Sequence, residues 1–179
     1  MKYVVDTSAI LAGSQYDFYE KKYFQTHWKN FDNLINNGTI VSTESVYKEL
    51  IAKDDSMADW AKDKKYMFQK IDNDVLEMGN YFSREFSNWY KKGTTSKENW
   101  ADPEVIAYAK INELILVTQE GWNMNAKSDL KFKIPTICSR MGAYCHIRDK
   151  YDEGIKDHVG FQCIDFLELI KRENLHLHF

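Results

Sequence analysis

Tyr3-Val4-Val5-Asp6-Thr7-Ser8-Ala9-Ile10-Leu11 decides the fold. Its first three residues form an apolar run short enough for a strand buried on both faces, and Asp6-Thr7-Ser8 supplies capping chemistry for a helix starting near Ala9. Asp6 therefore belongs at the C-terminal edge of a strand, where open α/β sheets bind their ligands. The same order recurs downstream. Thr39-Ile40-Val41-Ser42 predicts a second strand, running into a helix from Thr43 through Val46, Leu50 and Ile51. Asp102-Pro103-Glu104 starts a helix with Pro in its first turn, and Val105, Ile106, Ala109 and Ile111 cover one face of it. Leu114 to Val117 predicts a third strand, left through Thr118-Gln119-Glu120-Gly121. Strands alternating with helices predict an α/β fold with a parallel, doubly wound central sheet.

The remaining segments are read more coarsely. Tyr19, Tyr23, Phe24, Trp28 and Phe31 recur at helical spacing within 16–36, ahead of the stop signal Asn36-Asn37-Gly38. From Asp54 to about Tyr90 the apolar spacing predicts an added helical layer, and polar Lys91 to Asn99 predicts an exposed loop. An edge segment is expected around Ile134 to Ile137, a strand near Ala143 to Ile147, and a last helix from Ile164 to about Arg172. Residues 1–179 make a single domain, with a helical elaboration at about 54–99.

Composition sets limits. The chain is 44% hydrophobic and 28% charged with a net charge of -3, ordinary values for a soluble domain. No stretch approaches the roughly 20 apolar residues that cross a bilayer, and the acid at position 6 falls too early for a secretory leader. The expectation is a cytoplasmic protein without a membrane partner. Cys138, Cys145 and Cys163 are odd in number and lack paired spacing, so they predict buried thiols and not a disulfide framework or zinc site. The chain has no Gly-x-Ser-x-Gly elbow, Gly-rich phosphate loop or His-Glu-x-x-His pair, and its five histidines are scattered.

What remains is carboxylate chemistry. Asp6, Glu49, Asp102 and Glu120 each sit where such a sheet presents its edge. Carboxylate oxygens are hard ligands suited to Mg²⁺ or Mn²⁺, whose bound water attacks phosphates. The expectation is a metal-dependent phosphodiesterase with Asp6, Glu49, Asp102 and Glu120 as catalytic residues and metal ligands. Each acid also has a plainer role available. Asp6 and Asp102 suit helix N-termini, Glu49 competes with Glu44 for the inward position, and Glu120 suits a loop. Thr7, Ser8 and Thr118 are candidates for hydrogen bonds that support the carboxylates.

These residues carry a resemblance. Val4-Val5-Asp6-Thr7-Ser8-Ala9-Ile10-Leu11 resembles the opening of the PIN domain, the nuclease fold of VapC-type toxins. In that family a Glu-Leu pair lies on a helix, an Asp opens a later helix, and an acid follows the next strand after Thr. Glu49-Leu50, Ala101-Asp102-Pro103 and Thr118-x-Glu120 match in order. The family usually has Thr-x-Asp; a PIN-like branch with Thr-x-Glu and Lys-Ile-Pro-x-x-Cys is similar here, at Lys133 to Cys138. The resemblance covers Met1 to about Ile137. It implies a three-layer α/β/α fold and an endoribonuclease, the toxin of a toxin-antitoxin pair, with a small antitoxin and a homodimer as partners.

For the substrate strand, basic residues outnumber acids between Lys127 and Lys150, and Lys127, Lys131 and Lys133 are the expected RNA-binding rim. Tyr90, Trp100 and Trp122 are candidates for stacking on unpaired bases. A DNA-directed nuclease on the same scaffold stays open, as does a catalytically weak nucleic-acid-binding or regulatory module.

Overall fold

The structure is a computed structural model that describes residues 1–13, 18–52, 56–96, 99–152 and 160–177. Strand β1 (Tyr3–Val5) leads into helix α1 (Thr7–Leu11) and then α2 (Gln25–Asn36). Strand β2 (Ile40–Thr43) passes directly into α3 (Glu44–Ile51), followed by α4 (Ser56–Asp63) and the two-residue strand β3 (Phe68–Gln69). Helices α5 (Asn73–Glu85), α6 (Ser87–Ser96) and α7 (Asp102–Ile111) then return the chain to β4 (Ile115–Thr118). The last part comprises α8 (Ile134–Arg140), β5 (Tyr144–Ile147), β6 (Lys150–Tyr151), β7 (Gln162–Asp165) and α9 (Phe166–Arg172).

The seven strands form one sheet in the order β3-β2-β1-β4-β7-β5-β6, and β6 alone runs antiparallel to its neighbour. Register is fixed at the centre by Val4 opposite Val41 on one side and Leu116 on the other, and Leu116 in turn lies opposite Cys163. Every residue of β1, β2, β4 and β7 is buried, as expected of parallel strands covered on both faces. The chain steps from β1 to β2 in one direction and from β3 to β4 in the other. Right-handed crossovers then put α2 and α7 on opposite faces. Helix α2 meets α9 through Trp28 stacked on Phe166 at 5.4 Å and Phe31 beside it at 5.7 Å, while α7 packs against α5 and α8. The result is a three-layer α/β/α fold. Among the described residues no helix is long and apolar enough to cross a membrane.

The expected strands at the head of the chain and at 114–117 are present, and four segments differ. Residues 134–140 are helix, with Pro135 in a first turn where its missing N–H costs nothing. Residues 162–165 are strand, so the last helix starts at Phe166, since a short apolar run looks alike in a buried strand and a buried helical turn. The single long helical pattern from 54 is broken at β3, where buried Phe68 pairs beside Ser42. Residues 91–96 continue α6 and do not form a loop. Of the aromatics within 16–36, Trp28 and Phe31 are core, Tyr19 and Phe24 pack on its margin, and Phe18 and Tyr23 are exposed. Helix α2 starts only at Gln25, and Tyr16 lies outside the described residues.

Candidate active site

Strand order reverses between β1 and β4, so the crevice beyond their C-terminal ends is the switch point where parallel sheets bind ligands. Asp6 leaves β1 and Thr118-Gln119-Glu120 leaves β4 at this point. The two exits are stitched together. Asp6 N–H donates to Val117 O at 3.1 Å. The Asp6 carboxylate accepts from Ala9 N–H at 2.8 Å and from Thr118 Oγ1 at 3.0 Å, and Ser8 Oγ lies 2.9 Å from Oδ2. Ser8 Oγ and Thr118 Oγ1 in turn accept from the backbone N–H groups of Gln119 and Glu120, at 2.8 and 3.1 Å. Ser8 and Thr118 thus hold both the first acid and the backbone of the last.

Asp6 does cap α1, yet its electrostatics differ from those of a surface cap. It is 4% exposed. Burial pushes its carboxyl up to about 7, with the charges of Glu120 and Asp102 adding to the rise, while the bonds from Ala9 and Ser8 pull the other way. Like charges gathered around a buried carboxylate are a pattern typical of functional sites.

The other acids reach this edge from separate elements. Glu49, near the end of α3, accepts from Thr7 Oγ1 through Oε2 and from Ala101 N–H through Oε1 at 2.9 Å. It therefore links the residue after Asp6 with the residue before Asp102, whereas Glu44 occupies the first turn of α3. Asp102 is the first residue of α7, and the capping position belongs to Ala101, which makes no side-chain cap bond. Asp102 and Glu120 line one cleft of about 160 Å³, with Trp89, Trp100 and Lys133. Glu120 Oε2 accepts from Ile134 N–H at 2.8 Å, so it also satisfies the first amide of α8. An Asp at 120 is one methylene shorter for that span.

The basic rim divides. Lys131 and Lys133 line a neighbouring cleft of about 380 Å³ together with Trp122, Arg148 and Lys150. Lys133 lines both clefts, and Lys127 is exposed outside these linings. Trp122 is 5% exposed and so mainly packs. Sequence reasoning missed the wall that α6 gives the acidic cleft, through Trp89, Lys92, Gly93 and Ser96. The aromatic spacing of Phe82, Phe86 and Trp89, continued through residue 93, was the available signal. Asp165, at the end of β7, is also buried at the sheet edge. It is occupied with backbone N–H groups of Glu168 and Arg148, at 2.7 and 2.5 Å, and serves the start of α9.

Donor type and charge fit a hard divalent cation: all candidate ligands are carboxylates, and the crowding on Asp6 is of the sign that a cation relieves. Among the described residues, however, no three His, Cys, Asp or Glu side chains are gathered closely enough to hold a metal ion. The three cysteines are free and buried, and burial pushes the Cys138 and Cys163 thiols up, away from the thiolate that zinc requires.

A family model described as a domain of unknown function (DUF4411) matches residues 3–149, a span that includes all four acids and stops before β7. No curated protein matches, and no solved structure matches.

Proposed function

We propose that this chain, which belongs to the DUF4411 family of domains of unknown function, is a metal-dependent nuclease of PIN-like type that hydrolyses RNA phosphodiester bonds. One observation carries the reading: a buried Asp6 carboxylate at the switch point, fixed by Ala9, Ser8 and Thr118 and burdened by the charges of Asp102 and Glu120. A buried acid whose ionisation is opposed by two further acids contributes little as a cap alone, and is well suited to a cation.

In this reading Asp6 and Asp102 would hold Mg²⁺ or Mn²⁺, and Glu49 and Glu120 would complete the ligand set or orient the attacking water. The bound ion supplies Lewis acidity and lowers the pKa of its water. The protein's own part is positional. Ser8 and Thr118 hold the Asp6 carboxylate against rotation, Thr7 and Ala101 N–H hold Glu49, and Ile134 N–H holds Glu120. Lys131 and Lys133, with Arg148 and Lys150, attract the phosphate backbone beside the acids. The same reading makes the protein a toxin, with a small inhibitory antitoxin and a second copy of itself as partners.

The test compares wild type with Asp6→Asn on total RNA and on single- and double-stranded DNA, with Mn²⁺, Mg²⁺ or chelator. The expected result is metal-dependent cutting of RNA that falls by at least roughly 100-fold in the variant. Preference for DNA would redirect the reading to a DNA nuclease. A folded, inhibitor-free wild type that cuts nothing would overturn it in favour of a binding module, the alternative to which the ungathered carboxylates lend support.

A further inference from the structure

A second cavity shares a wall with the acidic cleft. Trp100 lines both, and the second has a volume of about 340 Å³ and is walled by α3, α5, α6 and the start of α7. It is built on the same helices as two of the acids, since Lys48 precedes Glu49 on α3 and Glu104 follows Asp102 on α7. Tyr90 and Trp100 form an aromatic corner, with ring centroids 5.7 Å apart and planes at 63°. Leu76, 56% exposed, adds an apolar wall that the fold leaves uncovered. The space beside Gly79 is open, because a Cβ built there would find its nearest atom, Tyr90 Oη, at 3.8 Å.

We propose that this cavity is a subsite for one unpaired nucleobase of the substrate strand; the proposal rests on the nuclease reading above. Its size falls at the lower end of small-ligand sites, roughly 300–1,000 Å³, which gives room for a base. Aromatic walls accept any base through its π-face, and the polar groups on the lining distinguish base edges: Lys48 and Asn99 donate, and Glu104 accepts. Lys133 in turn lines both the acidic cleft and the basic one. A strand laid in the acidic cleft thus has a base pocket adjoining it at Trp100 and phosphate contacts adjoining it at Lys133. A base paired and stacked in a duplex cannot enter such a pocket without first leaving the stack, so the geometry points to single-stranded substrates. The helical segment from α5 to α6 provides Val75, Leu76 and Tyr90 of the apolar and aromatic walls, which gives that elaboration a selective role.

Gly79→Leu tests this cleanly. It fills the cavity from an open helical position and improves helix propensity, so folding is not put at risk. Anisotropy is measured with labelled RNA single strands about 12 nucleotides long, with the same strand in a duplex, and with an abasic strand, using Ca²⁺ as the cation. Cutting is assayed in parallel in Mn²⁺. Binding of the single strand is expected to weaken by at least about 10-fold in Gly79→Leu, with an unchanged salt slope because the phosphate contacts remain. Duplex and abasic strands are expected to bind wild type no better than the variant binds the intact strand. Equal binding of the single strand by wild type and Gly79→Leu overturns the subsite. If wild type still cuts in that case, the nuclease reading survives alone. Gly79-sensitive binding without any cutting keeps the subsite and overturns the nuclease. No binding and no cutting overturns both.

Discussion

Thr118 receives Glu120 N–H and donates to Asp6 Oδ2, so one hydroxyl joins the exits of two strands. Thr118→Val keeps the shape and removes both bonds from a fully buried position. The expected cost is about 1–3 kcal/mol, read from the urea midpoint at constant m-value, because the Glu120 N–H loses its partner and Asp6 Oδ2 keeps only Ser8. Asp6 itself yields a pH signature. Its carboxyl is held up at about 7 in the fold, while an unfolded chain releases that proton near pH 4. Between those values the folded state binds more protons. Stability from this group is therefore complete below about pH 4, is lost as pH rises toward 7, and is level above it. In chelator, Asp6→Asn is expected to be more stable than wild type at pH 8, by at most about 4 kcal/mol, with the difference shrinking as pH falls through 7 toward 5. A difference that stays flat across that range would remove the argument for a charge-crowded buried acid. Both roles of Asp6, strand exit and helix cap, are legible in Val5-Asp6-Thr7-Ser8. Its crowding is not, because the charges come from residues about a hundred positions away.

At the scale of elements, legibility follows the locality of the determinants. Strands β1, β2 and β4 carry their own apolar runs and their own exit residues. Helix α6 does not: its first turn is capped by Asp129, which accepts from Asn88 N–H at 2.8 Å, and its Gly93 lies under the Trp100 ring. Polar residues followed by Gly suggest a loop unless those distant partners are known. Similarly, the first amide of α8 is satisfied by Glu120, so no capping side chain next to Ile134 reinforces the signal of Pro135. The Gly93 contact makes a sharp prediction. A Cβ there would fall 2.3 Å from the indole, wedged between two elements that wall the acidic cleft. Gly93→Ala is expected to cost 1–3 kcal/mol through overpacking, despite the better helix propensity of Ala, and to shift the fluorescence of Trp100. Wild-type stability in this variant would show that the ring can move aside freely.

Across the whole molecule, the order β3-β2-β1-β4-β7-β5-β6 buries β1 and β4 deepest and leaves β6 at the rim. Amide exchange should follow that gradient: Val4 and Leu116 exchanging only on global unfolding, Lys150 and Tyr151 by local opening. The same order bears on how the protein comes into being. Strand β7 is synthesised after both β4 and β5, yet lies between them in the sheet. A ribosome that has released residues only as far as 150 holds a sheet with an internal strand missing. The edge of β4 is then bare, and the hairpin bearing Arg148 and Lys150 has nothing to dock on. The edge of β4 is covered only when residues 162–165 thread into that gap. A nascent fragment of this protein, with an open strand edge, is accordingly a natural client for chaperones.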